Sequence, residues 1–255
     1  MLVDLICGEC IKECLKNDDL FINELMVPVS QIVESGIYNV TCDKGHKTKV
    51  ALRNAKFELL FELGLNGVID GYFREGVSNF TASLERFFEF FVKVALQNEI
   101  NENVFQEAWK NVKNQSERQL GAYIFLYIKV IKKMPLLLSS KAVSFRNEVI
   151  HKGYIPTKEQ TLEYGENIRR IINNAISEMK SLSNDNLITV YERYLPKVEG
   201  EEDSFSCNVV TVLDVRNGPE FNINDVRNRS LEKIIPSIIE KRLPKRIRFF
   251  KEKPV

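Results

Sequence analysis

Apolar residues recur every three or four positions over long stretches of this sequence, and that spacing constrains its fold more than any other feature. Over Ser78–Leu96 it gives one broad apolar helix face, made by Phe80, Leu84, Phe87, Phe88, Phe91 and Ala95. Over Asn103–Lys133 the same spacing predicts two helices, which Pro135 brings to an end. The phenylalanines of Phe87–Phe91 are spread more widely around the helix than one core face requires. Either all of them pack in the core, or some of them form a dimer surface. The chain is therefore expected to be mainly α-helical.

Capping signals mark the ends of the next two predicted helices. Serines precede a helix over Ser140–Lys152, and Gly153 follows its last residue. The segment Thr157–Gln160 has the capping-box pattern and opens a helix that runs to about Leu182. Short connections between long helices favour an antiparallel helical bundle, which we expect over residues 56–184.

The N-terminal part of the chain has the spacing of a metal site. Four of the five cysteines lie in the first 42 residues, and the pairs Cys7/Cys10 and Cys42/His46 follow the patterns C-x2-C and C-x3-H. Clustered cysteines in odd number indicate a metal site in a reducing compartment rather than a disulfide framework. Four protein ligands predict one closed, structural Zn²⁺ per chain. The alternative is a set of free cysteines with a surface histidine. Cys14 either replaces Cys10 as a ligand or is a small core residue beside the site.

Residues 1–55 as a whole are expected to form a zinc-ribbon-like module. Residues 36–50 alternate β-formers around an Asp-Lys-Gly turn, which predicts a β-hairpin. Six basic and eight acidic residues give these 55 positions a net charge of −2. That sign weighs against direct phosphate binding by this module.

The C-terminal region, residues 185–255, is expected to be a small α+β appendage. It has a strand-like run over Asn208–Val215 and a short helical pattern over residues 230–241. Its end is basic, which makes it a candidate RNA-binding patch; a solvated tail is the alternative. The candidate residues of this patch are Lys241, Arg242, Lys245, Arg246 and Arg248.

Composition sets the broad class of the protein. The formal net charge is +1 and 44% of the residues are hydrophobic, which is typical of a folded chain without a dominant charge signal. No apolar run approaches the length of a membrane span, and the N-terminus lacks a basic leader. We therefore expect a cytoplasmic protein with no membrane association.

Three side chains with catalytic potential lie near the end of one predicted helix: Arg146, Asn147 and His151. Asn147 and His151 are four residues apart and share a helix face, while Arg146 lies about 100° around the helix from Asn147. A general acid or base, an orienting amide and a cation thus come from one short helix. The alternative is that these residues are simple capping and surface groups, since a histidine in the last turn favours the helix dipole.

The pattern Arg146-Asn147-x3-His151 resembles the R-x4-6-H motif of the HEPN superfamily, in which a polar residue often follows the arginine. The continuation His-Lys-Gly-Tyr-Ile-Pro is similar to that family, as is the upstream helix around Ala82–Glu89. The resemblance covers about Phe57 to Leu182, and the cysteine module ahead of it resembles arrangements in bacterial HEPN proteins. It implies an antiparallel HEPN helical bundle preceded by a zinc ribbon.

The resemblance also implies a function. HEPN domains form homodimers that bring two such motifs to a shared cleft, where RNA is cut without a catalytic metal. The ribose 2′-OH is the expected nucleophile, which leaves a 2′,3′-cyclic phosphate. His151 would move the proton, and Arg146 would stabilise the charge on the phosphate. Asn147 would orient the histidine or the phosphate. Glu85 and Glu89 are supporting candidates that would pair with Arg146.

Such an endoribonuclease would act as a bacterial toxin or antiviral defence effector, held in check by an antitoxin or another regulatory partner. The alternative implied by the same family is a non-catalytic HEPN dimer that scaffolds a partner or a nucleic acid.

Overall fold

The computed structural model describes residues 3–17, 26–29, 31–198, 204–209, 211–213, 215–216, 230–236 and 238–239. The chain divides into two compact units, one of residues 1–55 with 191–211 and one of residues 56–190 with 212–255. The region 185–255 is shared between the two units rather than forming a separate one.

The first unit contains a two-stranded and a three-stranded sheet beside one helix. Its elements are β1 (Val3–Ile6), α1 (Gly8–Asn17), β2 (Met26–Val29), β3 (Ile37–Thr41), β4 (Lys47–Leu52) and β5 (Ser204–Cys207). Strands β1 and β2 are antiparallel, and β3 and β4 form the predicted hairpin, with Asn39 opposite Lys49. Strand β5 adds to β4 in parallel, and Lys49 pairs with Ser204.

A tight turn closes the β3–β4 hairpin. The Gly45 amide donates to the Cys42 carbonyl at 2.8 Å, and the Cys42 amide donates to the His46 carbonyl at 3.1 Å. Gly45 has a φ of 85°, in the left-handed region that favours glycine. Side chains along β3 alternate between buried and exposed, so one face of the hairpin packs inside the unit.

The second unit is a helical bundle, and the chain as a whole is mainly helical, as the sequence predicts. Its helices are α2 (Lys56–Ile69), α3 (Phe73–Leu96), α4 (Glu102–Lys110), α5 (Ser116–Ile131), α6 (Ser140–His151) and α7 (Lys158–Tyr194), of which the last four residues are counted with the first unit. Helix α7 is interrupted at Ser183, where φ is −162°. The Ser183 hydroxyl accepts the Asn186 amide at 3.3 Å and caps the part that follows.

Phenylalanine side chains fill the centre of the bundle. A Cβ on Gly64 would lie 2.5 Å from the Phe80 ring and a Cβ on Gly165 would lie 2.7 Å from it, so α2, α3 and α7 meet closely at that ring. The four phenylalanines of the α3 stripe are all buried, at 0% to 7% exposure, and therefore belong to the core; they are Phe87, Phe88, Phe90 and Phe91.

The predicted helix caps are confirmed. The Ser139 hydroxyl accepts the Ala142 amide at 3.2 Å at the start of α6. Gly153, with a φ of 73°, follows the end of that helix. Both halves of the capping box form before α7: the Thr157 hydroxyl accepts the Gln160 amide, and the Gln160 side chain accepts the Thr157 amide.

The strand predicted over Asn208–Val215 is wrong for the described residues of that run, because the strand lies earlier, at Ser204–Cys207. After β5, glutamate side chains accept the backbone amides that a neighbouring strand would otherwise bind. The Glu62 carboxylate accepts the Val212 amide at 2.6 Å, and the Glu58 carboxylate accepts the Val215 amide at 3.0 Å. Val212 and Val215 are thus buried without a strand partner.

The helix predicted over residues 230–241 is present in its described part, residues 231–236 and 238–239. The candidate RNA-binding patch at the basic end, beginning with Lys241, lies outside the described residues. Among the helices that the structure describes, none combines the length and the apolar character needed to cross a membrane.

Candidate metal centre and candidate catalytic helix

The four predicted ligands come together in the first unit. Cys7 and Cys10 flank the start of α1, while Cys42 and His46 lie at the two ends of the hairpin turn. One ligand atom from each lies within 4.8 Å of the other three, and this cluster is able to hold a metal ion. The Cys10 Sγ lies 3.7 Å from the Cys42 Sγ and 3.4 Å from the His46 Nδ1.

These separations agree with the geometry of a tetrahedral zinc site. Zinc bonds of about 2.3 Å to sulfur and about 2.0 Å to nitrogen place two ligand atoms roughly 3.5 to 3.8 Å apart. The sulfur–sulfur distance of 3.7 Å falls in that range and the sulfur–nitrogen distance of 3.4 Å lies just below it. The three cysteine ligands are 0% to 9% exposed, so the cluster is closed to solvent on its sulfur side.

The electrostatics of the thiols also favour a cation. Burial raises the pKa of the Cys10 thiol to about 12, and the neighbouring Cys7 and Cys42 thiols act in the same direction. Burial raises the pKa of Cys7 as well, but hydrogen bonds with the Thr48 hydroxyl, the Cys10 amide and the Cys10 and Cys42 thiols together outweigh it and lower the Cys7 pKa to about 7. Several thiolates in one small volume repel each other, and a bound metal ion relieves that repulsion.

Close packing holds the Cys7–Cys10 turn in place. A Cβ on Gly8 would lie 1.6 Å from the Phe205 ring, so only glycine allows strand β5 to approach this closely. The Lys12 ammonium lies 5.2 Å from the centre of the same ring. Cys14, one helical turn beyond Cys10, packs against the buried cysteines and is half-exposed, outside the set of four.

The predicted catalytic helix α6 lies in the second unit, against α3. The Arg74 guanidinium of α3 donates to the Val149 and Ile150 carbonyls, at 3.3 and 3.4 Å. Arg74 thereby places a cation at the C-terminal end of α6, where it satisfies carbonyls of the last turn. Lys152, adjacent to His151 in the sequence, is exposed.

Arg146 acts electrostatically on one residue of α3 and one of α7. Burial raises the pKa of Glu85, and the positive charge of Arg146 counteracts that rise more than any other group. Arg146 acts in the same way on Tyr164, whose hydroxyl pairs with Thr81 and whose pKa burial raises to about 12. Within the described part of the chain, the Arg146 Nε is buried without a hydrogen-bond partner.

His151 is exposed at the end of α6, and Asn147 is half-buried one turn before it. Five residues along a helix correspond to about 140° of rotation and about 7.5 Å of rise. Arg146 and His151 of one chain therefore lie on different faces of α6, whereas Asn147 and His151 share one.

The two supporting candidates differ in their surroundings. Glu85 is half-buried and lies within electrostatic reach of Arg146. The Glu89 carboxylate pairs with Arg86 at 2.7 Å and with Lys93 at 3.0 Å, both on its own helix. Glu85 is thus the acidic residue that the structure brings to Arg146.

Some residues around both sites are not apparent from the sequence motifs. Thr48 lies 3.5 Å from the Cys7 Sγ, and the Glu13 carboxylate lies 3.3 Å from the His46 Nε2. Glu13 is three residues after Cys10 on a helix, a spacing that can signal a shared face. Arg74 gives no such signal, because its contact with α6 spans more than seventy residues.

Comparisons with known proteins give no match: no protein-family model fits the chain, and neither a curated protein nor a solved structure is significantly similar to it.

Proposed function

We propose that this chain is a metal-independent endoribonuclease of the HEPN type, with a structural zinc ion in its first unit. One observation carries the proposal. Helix α6 has a half-buried arginine, Arg146, and an exposed histidine, His151, five residues later, and the Arg74 guanidinium donates to the Ile150 carbonyl in the last turn of the same helix. A phosphodiester needs a cation for its charge and a group that exchanges a proton near neutral pH.

The proposed roles follow from the side-chain chemistry. His151 removes the proton from the ribose 2′-OH or returns one to the leaving 5′ oxygen. Arg146 stabilises the charge that builds on the phosphate, by fixed hydrogen bonds. Asn147 shares the face of His151 and orients it. Glu85 holds the Arg146 side chain before RNA arrives.

The proposed enzyme acts as a homodimer. Because Arg146 and His151 of one chain lie on different faces of α6, a single copy does not direct both at one phosphate. A two-fold pairing of the α6 helices supplies the missing group from the second copy. The expected biological setting remains that of a toxin or defence effector restrained by a partner.

The zinc ion in this proposal has a structural role. Cys7, Cys10, Cys42 and His46 would use all four positions of a tetrahedral ion, which leaves none for a substrate or a water molecule. The ion would fix the Cys7–Cys10 turn against the hairpin turn.

A binding module without catalysis is the second candidate, and exposed apolar side chains favour it. Phe125 on α5 is 76% exposed and Ile155, just beyond α6, is 78% exposed. Large exposed apolar side chains are frequent in surfaces that bind other proteins. In this alternative the bundle dimerises and scaffolds a partner or a nucleic acid.

Incubation of the full chain with total RNA in the presence of EDTA tests the proposal. We expect cleavage that leaves 2′,3′-cyclic phosphate and 5′-OH ends, and its loss in His151→Ala. Lys141→Ala is the matched control, because Lys141 is an exposed residue of the same helix. Cleavage by His151→Ala at the wild-type rate, or cutting of DNA at a comparable rate, would refute the nuclease. No cleavage by a dimeric wild-type protein would favour the binding module.

A further inference from the structure

The Glu13 carboxylate links the helix and the hairpin of the candidate metal centre. Its Oε1 lies 3.3 Å from the His46 Nε2, and its Oε2 lies 3.2 Å from the Lys44 Nζ. Glu13 belongs to α1, while Lys44 and His46 belong to the turn between β3 and β4. One carboxylate on the helix thus holds two residues of the hairpin turn.

The two nitrogens of the His46 ring face different partners. Nδ1 lies 3.4 Å from the Cys10 Sγ and so faces the other ligand atoms of the cluster. Nε2 faces away from the sulfurs, toward the Glu13 carboxylate. An ionised carboxylate only accepts hydrogen bonds, so in a neutral ring this contact favours the tautomer with its proton on Nε2. Nδ1 is then left with its lone pair directed at the cluster.

We propose that Glu13 is a positioning residue for the metal, and that His46 binds the ion through Nδ1 while it donates its Nε2–H to Glu13. This inference rests on the proposed metal site. A carboxylate behind a ligating histidine fixes the tautomer and the orientation of the ring and makes the other nitrogen a better ligand. Lys44 holds the second oxygen of Glu13 and keeps the carboxylate in place.

The tautomer is directly measurable by NMR. The chain has two histidines, so a long-range ¹H–¹⁵N correlation spectrum of the zinc-loaded, ¹⁵N-labelled full chain contains two ring systems. The His151→Ala variant identifies the one that belongs to His46. We expect the His46 Nδ1 to have the shift of a zinc-bound nitrogen and Nε2 that of a protonated one. The reverse assignment would overturn the proposal.

Zinc affinity, measured by competition with a chromophoric chelator, tests the role of the carboxylate. Glu13→Ala should weaken binding roughly 10- to 100-fold, the usual effect of losing such a partner. Glu13→Gln should recover most of this loss, because its amide oxygen still accepts the Nε2–H. Lys16→Ala is the matched control: Lys16 is an exposed residue of the same helix and lies outside the Cys7–Cys10 turn.

Each outcome has a separate meaning. Wild-type protein that binds no zinc would refute the metal site itself. Zinc bound equally well by Glu13→Ala and wild type would leave the metal site intact and refute the role of Glu13. A Glu13→Gln variant as weak as Glu13→Ala would assign the effect to charge and refute the hydrogen-bond mechanism.

Discussion

Tyr123 and Tyr127 lie one turn apart on α5 with ring centres 5.6 Å apart, yet only the Tyr127 hydroxyl has a hydrogen bond in the described structure, from Asn174 at 3.2 Å. Both side chains are 0% exposed. A buried hydroxyl without a partner costs free energy, whereas a paired one contributes. Replacement by phenylalanine is therefore expected to change the free energy of unfolding in opposite directions at the two positions.

Tyr123→Phe should leave the free energy of unfolding unchanged or raise it by up to about 1 kcal/mol, because it removes an unpaired polar group. Tyr127→Phe should lower it by about 0.5 to 1.5 kcal/mol, since the Asn174 amide loses its acceptor. Urea denaturation of the two variants side by side measures the difference. A larger loss in Tyr123→Phe than in Tyr127→Phe would contradict the prediction.

Glu85 gives a prediction for pH. Burial raises its pKa above the ordinary value of 4.5, although Arg146 and Arg86 counteract the rise. The folded state then binds this proton more tightly than the unfolded state, so stability falls as the pH rises from 4.5 to the raised value. Glu85→Gln removes this fall. The melting temperature of the variant, relative to that of wild type, should be higher at about pH 7 than at about pH 4. A difference between the two proteins that does not change with pH would contradict this.

The catalytic roles predict a ranking of variants. Arg146→Ala should reduce RNA cleavage by about a hundredfold or more, because fixed charge stabilisation is worth about that much. Arg146→Lys should recover little, since lysine lacks the planar fork of donors. Asn147→Ala should lose less than either, because an orienting amide supplies no proton. Rates with a defined RNA, and melting curves to verify folding, give the comparison. Equal rates for Arg146→Ala and wild type would contradict the ranking.

Metal removal should affect the two units differently. Purified protein is expected to contain about one zinc ion per chain. Stripping it with a chelator should speed hydrogen exchange in β3, β4 and β5, because the ligands no longer join α1 to the hairpin turn. Exchange in α3 should change little. Uniform acceleration in both units, or a metal-free protein purified without chelators, would contradict this prediction.

The shared cleft predicts a two-fold dimer. Light scattering at micromolar concentration should give twice the chain mass of 29.5 kDa, with or without RNA. A mixture of His151→Ala and Arg146→Ala chains should recover part of the activity, because one mixed cleft then has both groups. A strictly monomeric protein would exclude the composite site.

The features that the sequence predicted correctly have local causes. The caps at Ser139 and Thr157 and the end of α6 at Gly153 depend on residues within four positions of each other. The Cys7–Cys10 and Cys42–His46 turns are local too, and the structure brings their four candidate ligands together. The spacing of apolar residues predicted which face of α3 is buried, because the buried face of a helix is the one on which its apolar residues lie.

The features that the sequence did not reveal come from distant pairings. Strand β5 joins β4 in parallel across more than 150 residues, and no local pattern specifies that neighbour. The Glu58 and Glu62 carboxylates read as ordinary helix residues, yet they replace a strand partner for Val215 and Val212. The electrostatic effect of Arg146 on Glu85 and Tyr164 likewise involves α3 and α7, which the motif itself does not include.

The late position of β5 has a consequence for synthesis on the ribosome. Ser204 follows its partner Lys49 by 155 residues, so at about 5 to 20 residues per second the β4 edge waits roughly 8 to 30 s for its third strand. During that interval the hairpin presents an open edge that nascent chains nearby are able to pair with. Phe205, which covers Gly8, arrives at the same moment. A chain that ends between β4 and Ser204 therefore lacks both the third strand of this sheet and the contact of Phe205 with Gly8.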